Sequence, residues 1–493
     1  MTEIRLAGEG VAIGDIAAIA RQNAQVAAEE RVIARLVEAR LILESAAASG
    51  QQIYGMNTGL GANLKTAVTE DFGAFQLQLV RGRSVSVGLA LSREKTRAIM
   101  AARLAMFAVG GSGVSPAVFE ALVSLLHAGV HPVMPSIGSI GAGDLVMLSP
   151  IARVLVGEGE AEYQGVVYPA AEALERAGLE PIALQPKDGI SVINASAVSA
   201  GEGALILTDV EALLACQRQA AALAFEGLGG NPLILAPAIQ RARSGPGQAE
   251  EAALIAEMLA GSSLYDAQAA IQDPLSLRCV ASIHGALAQA LRQAVEVVEI
   301  ELNAAADNPL VIVDEGRVLS TGNFHTPALS LAFETLGLAL AQAAAACAAR
   351  FIQLTGSGRN GLPKYLSPVG GASAGFVPMQ KTVTALLADI RHKANPVMLD
   401  FLAVSEGVED HATQSLLAVR KLGDILASWR LLIACEMVAA TQAVDLRDGH
   451  RLGVGTAEVH TMVRRLVPPL EEDRPLGEDV ARLSDHLAAT TSC

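Results

Sequence analysis

A chain of 493 residues, 51% hydrophobic and only 3% aromatic, has material for a large core that must be packed from Ala, Leu, Val and Ile. Such side chains suit close helix-on-helix contact, and this much apolar sequence excludes a disordered protein. A formal charge of −15 argues against nucleic acid and against an anionic membrane surface, both of which need clustered Lys and Arg, and leaves a small molecule as the expected partner.

The first strong signal is helical. Ile33, Leu36 and Val37 recur at helix spacing in a segment that runs toward Gly50, predicting a long helix there. Period-two alternation is scarce; it predicts one short strand pair around 165–168 and another over 310–320. The alanine-rich stretch 329–352 reads as a long buried helix. Leu422, Ile425, Leu426, Trp429, Leu432 and Ile433 form the stripe of another. The expected fold is therefore all-α, with a loop-rich part over 1–200 and a central and C-terminal helical bundle over 201–493. Glycine-rich polar stretches punctuate it at 54–63, 135–144, 185–194, 272–278, 303–325 and 405–411, and loops held on a rigid scaffold are where binding groups tend to sit.

Cys216, Cys279, Cys347, Cys435 and Cys493 lie far apart without metal-ligand spacing, so free buried thiols are expected. The nine histidines do not gather with carboxylates or thiols, and no metal is implied. Neither a leader-like start nor an uninterrupted apolar run of about 18 residues is visible. No membrane partner and a cytoplasmic location are expected.

Three segments carry chemistry. Tyr54, in Tyr54-Gly55-Met56-Asn57-Thr58-Gly59-Leu60-Gly61, sets a phenol in a glycine loop; phenols titrate near ~10, so a basic phenol needs cationic company, and a packing tyrosine is the plain alternative. Arg278, in Gln272-Asp273-Pro274-Leu275-Ser276-Leu277-Arg278-Cys279, offers a fork suited to a carboxylate or to a structural ion pair. Asn303, Asp307-Asn308-Pro309 and Thr321-Gly322-Asn323-Phe324-His325 flank the second strand pair, where Asx residues also serve simply as turn formers.

Taken in order over residues 30–450, these segments resemble the aromatic amino-acid ammonia-lyase family. Its patterns Tyr-Gly-x-Asn-Thr-Gly-x-Gly, Gln-Asp-Pro-x-Ser-Leu-Arg-Cys and Asp-Asn-Pro-Leu with Gly-Asn-Phe-His are met at 54–61, 272–279, 307–310 and 322–325. The resemblance implies the all-α ammonia-lyase/fumarase-like fold and a homotetramer whose active sites draw residues from three subunits. One feature fails. The family cyclises an Ala-Ser-Gly tripeptide into the electrophile methylidene-imidazolone (MIO), whereas this chain reads Gly138-Ser139-Ile140-Gly141-Ala142-Gly143-Asp144-Leu145, with Ala142 joined directly to Gly143 and Ser139 lying upstream. Arg83 stands where the histidine-specific members have a histidine, Leu275 replaces a tyrosine, and Lys381 replaces an apolar residue. Glu409 matches the acidic residue of the histidine-specific branch.

The MIO group captures a substrate amine and turns it into a better leaving group. A quaternary trimethylammonium has no lone pair to be captured and departs as a neutral amine, so it needs no such group. The resemblance thus implies an MIO-free branch that eliminates trimethylamine from an aromatic amino-acid betaine, ergothioneine above all, to give thiourocanate, without a cofactor. Tyr54 would remove the β-proton, Arg278 and Asn194 would hold the carboxylate, and Lys381, Glu409 and Arg83 would face the thioimidazole. Lys381 would also favour the Tyr54 phenolate if near it. Phe324 would face the methylated cation, with Asn308 and Gln272 completing the pocket. The alternatives are an MIO-type histidine or other aromatic amino-acid ammonia-lyase, and a catalytically inactive member that binds a metabolite.

Overall fold

The computed structural model describes residues 2–68, 71–267, 271–356, 361–399 and 401–491. Cys493 lies outside the described residues. Cys216, Cys347 and Cys435 are buried free thiols, whereas Cys279 is only half-buried, a correction to the expectation that all would be buried. The expected long helices are present as Glu30–Ala48, Pro327–Leu354 and Ser415–Asp445, and Ala197–Leu228 and Val280–Leu302 join them. The predicted strand pairs are the hairpins Glu160–Tyr163 with Val166–Pro169 and Leu310–Ile312 with Arg317–Leu319. Three further pairings gave no period-two signal: parallel Glu3–Leu6 with Gln25–Ala28, antiparallel Val87–Ala90 with Pro135–Ile137, and antiparallel Val130–Pro132 with Glu160–Tyr163. Strands of three or four residues are too short to show alternation.

Two compact units share the chain: residues 1–208, 295–331 and 396–420 form the first, and 209–294, 332–395 and 421–493 the second. In the second, small residues bring helices close. A Cβ on Gly227 would lie 2.9 Å from Ala443 Cβ and 3.1 Å from Ala440 O, so the scarcity of aromatic residues is matched by backbones in near contact. Trp429, fully buried, donates its indole N–H to Gln217 Oε1 at 2.7 Å. Two helical stretches, Asp188–Leu228 and Pro327–Leu354, are long and apolar enough to cross a membrane by length and composition. This corrects the expectation drawn from uninterrupted runs, although the apolar window of the first is 100% buried and that of the second 61% buried, as in core helices.

The first unit is threaded by buried polar groups that hold its loops. Arg103 and Asp307, 0% and 1% exposed, pair at 2.8 Å, and Arg103 also donates to Ser191 O. Asp188 accepts from Ser115 N–H, Ser115 Oγ and Gln185 N–H at 2.8–2.9 Å. These bonds offset the burial that pushes its carboxyl upward. Together the two clusters fix the short helix Asp188–Ile193 and the 307–310 turn.

His131 gives this unit an acid limit. Its Nδ1 meets Glu162 Oε2 at 2.9 Å and Arg97 Nη1 reaches its Nε2 at 3.2 Å, an arrangement that suits the neutral ring, because the second nitrogen must accept. Burial, chiefly, lowers the imidazole from 6.5 to about 4, against the pull of Glu162. Between those values the unfolded chain binds a proton that the folded chain refuses. The His131 contribution to stability is then fully present above pH 6.5 and is lost as the pH approaches 4, by ~3 kcal/mol at most. Urea midpoints at pH 7, 5.5 and 4 check this: His131→Gln is expected to flatten the loss over that interval.

Candidate active site

Tyr54 sits in the glycine loop after the helix Glu30–Ala48. Its phenol oxygen accepts Gly61 N–H at 3.0 Å, which fixes the direction of that oxygen. Arg83 caps the C-terminal end of the helix Phe72–Gly82, whose start is fixed by Asp71 Oδ1 accepting Ala74 N–H at 2.9 Å. Burial, above all, lowers the Arg83 guanidinium below its ordinary value, while Tyr54 and Glu409 draw it back up. Tyr54, Arg83 and Glu409 are therefore electrical neighbours. Glu409 lies in the segment where Val404 N–H donates to Glu409 O at 3.0 Å and Ser405 Oγ donates to Glu409 Oε2, and the turn 405–407 packs against the turn 61–63.

The serine-less loop forms one wall of the same unit. Ala142 pairs with His325 in an antiparallel bridge, and Gly143 N–H donates to Phe324 O at 3.2 Å. Asp144, 1% exposed, accepts Ser139 Oγ at 2.5 Å through Oδ1 and the N–H groups of Val198 and Ser199 at 3.0 and 3.1 Å through Oδ2. Burial pushes this carboxyl upward against those donors. Thr413 Oγ1 donates to Gly141 O at 2.8 Å, and Gln414 N–H to Ile140 O at 3.0 Å. Asn194, at the end of the helix Asp188–Ile193, donates Nδ2 to Asn308 O at 3.2 Å, and Asn308 Oδ1 accepts Ser320 Oγ and Thr321 N–H at 3.2 and 3.1 Å. The 307–310 and 320–325 turns are thereby tied to Asn194 and to the loop.

These residues do not fit an MIO group. Its electrophilic carbon comes from a serine between alanine and glycine, and none is present. The nearest serine in the chain, Ser139, has its hydroxyl donating to Asp144 and accepting Gly141 N–H at 3.0 Å, and Gly143 N–H is spent on Phe324 O. Gly143 has φ +71°, and a Cβ there would meet Asn194 Oδ1 at 2.6 Å and Leu145 Cδ1 at 2.9 Å. Gly143→Ala is expected to cost about 1–3 kcal/mol through strain and overpacking and to displace Asn194, seen as a lower melting temperature and a raised KM.

Gln272, Arg278 and Lys381 belong to the second unit. Gln272 is exposed and Arg278 half-buried on the four-residue helix Leu275–Arg278, and Lys381 is exposed in the first turn of the helix Met379–Lys393. Neither the Arg278 nor the Lys381 side chain has a hydrogen-bond or ion-pair partner among the described residues. Structure under Arg278 comes from Arg350, which donates to Ser276 O at 3.1 Å while paired with Glu436. Sequence reading passed over Asp144, Arg350 and the contact of His325 Nε2 with His411 Nδ1 at 2.7 Å. An Asp beside the failed tripeptide and a His two residues after Glu409 were the available signals.

The chain matches the model of the aromatic amino acid lyases over residues 11–465. A histidine ammonia-lyase of Treponema denticola is 38% identical over 97% of this chain and 95% of its own length. Ergothionase from Treponema denticola, solved in complex with desmethyl-ergothioneine sulfonic acid, superposes with a TM-score of 0.95 at 32% identity, covering 99% of both chains. Histidine ammonia-lyase from Trypanosoma cruzi superposes at 0.91 with 27% identity, over 100% of this chain and 94% of that one. The helical fold and the ordered motifs thus have one source: the chain belongs to the aromatic amino acid lyase family.

Proposed function

We propose that this chain is a carbon–nitrogen lyase that eliminates trimethylamine from ergothioneine, the betaine of 2-thiohistidine, to give thiourocanate. The observation that carries the reading is the loop at Ala142-Gly143, which lacks the serine and has its backbone held by Phe324 and His325. Likeness to ergothionase supports it. Without a covalent amine trap, the substrate nitrogen must be able to leave unaided, and a trimethylammonium does so as a neutral amine.

In this reading Tyr54 takes the β-proton, the C–H electron pair becomes the new C=C bond, and the C–N pair leaves on trimethylamine. The proton passes from Tyr54 to solvent. Charge that develops toward the ring and its sulfur is met by the cations Lys381 and Arg83, with Glu409 on the ring's other side. Arg278 clamps the carboxylate with Asn194, Phe324 faces the methylated nitrogen, and Asn308 and Gln272 complete the pocket. The reading includes a homotetramer whose shared sites would bring the Arg278 and Lys381 side chains to the substrate.

The competing reading, a histidine ammonia-lyase, is favoured by the names of relatives such as that of Treponema denticola. Histidine, tyrosine, phenylalanine, their trimethyl betaines and ergothioneine, offered in turn to the pure protein, separate the two by the ultraviolet absorbance of the unsaturated acid. Turnover confined to betaines, with ergothioneine foremost, is expected; urocanate from histidine alone would replace this reading by the other.

A further inference from the structure

His325 and His411 are the one pair of imidazoles in contact among the described residues. Nε2 of His325 lies 2.7 Å from Nδ1 of His411, with the rings edge-on, 4.9 Å between centroids and 66° between planes. At that distance one nitrogen must donate and the other accept, an arrangement that holds with both rings neutral or with one of them protonated; only with both rings protonated do two cations set N–H facing N–H. His325 is bridged to Ala142 of the serine-less loop, and His411 follows Glu409 by two residues. On the Glu409 side the chain is held by its own turn and by the packing of that turn against 61–63; Ser405 and Glu406 in it both adopt positive φ, +56° and +57°, a conformation that costs energy in non-glycine residues. Beyond His411 the segment is anchored by Thr413 and Gln414 to Gly141 and Ile140.

We propose that His325 and His411 are positioning residues: as a hydrogen-bonded pair they fasten the strained Glu409 segment to the loop at Ala142, and protonation of both rings releases it. The charged groups on the segments packed around the pair are Asp144, engaged by Ser139, Val198 and Ser199, Glu409, engaged by Ser405 and facing Arg83, and the exposed Asp410. The functional part of this inference rests on Glu409 contacting the substrate ring.

His411→Asn keeps a hydrogen-bonding nitrogen near the place of Nδ1 without titrating in this range, and His411→Ala removes it. Two readouts keep the pair and the proposed reaction apart. Hydrogen exchange of the full-length protein, followed by mass spectrometry over 404–409, is expected to quicken in His411→Ala, to stay native-like in His411→Asn, and to quicken in the native protein relative to His411→Asn as the pH falls from 7 to 5. Steady-state kinetics on whichever substrate is turned over are expected to show KM up about tenfold in His411→Ala with kcat little changed, the equivalent of one lost hydrogen bond. His411→Asn should stay near native KM and lose the acid-side rise. Unchanged exchange in His411→Ala, or a His411→Asn variant indistinguishable from it, overturns the proposal. If no betaine is turned over, the exchange experiment decides alone.

Discussion

Tyr54→Phe is expected to lower kcat by about 10²–10⁴-fold, the usual yield of a positioned proton acceptor, with KM nearly unchanged. The phenol oxygen is held by Gly61 N–H at 3.0 Å and is an electrical neighbour of Arg83, so it has both a fixed direction and cationic company. Phenylalanine keeps the ring and loses the oxygen. Gly61 N–H then loses its acceptor, at a stability cost of roughly 1 kcal/mol, too little to unfold a chain of this size. Steady-state kinetics beside a thermal melt separate the outcomes: a kcat loss with the melt preserved supports the assignment, and a kcat within a few fold of native removes Tyr54 as the base.

Glu436→Gln is expected to cost about 3–5 kcal/mol of stability, since it leaves Arg350 charged, fully buried and unpaired. Both side chains are 0% exposed, and Arg350 meets Glu436 through two nitrogens, one at 2.9 Å. Burial works against the Arg350 charge, and the Glu436 carboxylate outweighs it, so that the guanidinium stands above its ordinary value. The third nitrogen position of the fork supports Ser276 O, two residues before Arg278. Loss of the pair should therefore raise KM as well, by loosening the turn that carries the carboxylate clamp. The double variant Arg350→Met with Glu436→Leu, which removes both charges, should unfold at higher denaturant than Glu436→Gln. If Glu436→Gln is as stable as native in urea, the pair does not carry the weight given to it.

Much of this could be read from residues. The stripe from Leu422 to Ile433 and the alanine-rich run before Ile352 announce their helices because apolar spacing of three and four survives inside a buried bundle. The hairpins at 160–169 and 310–319 showed through alternation and turn residues. What stayed hidden was tertiary. Residues 295–331 and 396–420 return to the first unit, yet no shift in composition marks the change, since helical Ala and Leu look alike in both units. The motif residues were found by order and spacing, but the partners that fix them were not. Asp144 reads as one more polar residue in a glycine loop until Ser139, Val198 and Ser199 converge on it, and the His325–His411 contact joins positions 86 apart. Lys381 was legible as a charge where the family pattern has an apolar residue and Arg278 as a match to that pattern, whereas it took side-chain positions to show that neither has a hydrogen-bond or ion-pair partner among the described residues.

The absence of a covalent amine trap is the claim on which the chemistry turns, and one measurement addresses it directly. The pure protein is treated with borohydride or cyanide, reagents that destroy an imidazolone electrophile, and is then given ergothioneine while trimethylamine and thiourocanate are quantified. Release of the two in equal amounts at the untreated rate is the predicted result; loss of turnover after treatment, or free ammonia from histidine before it, would contradict the account.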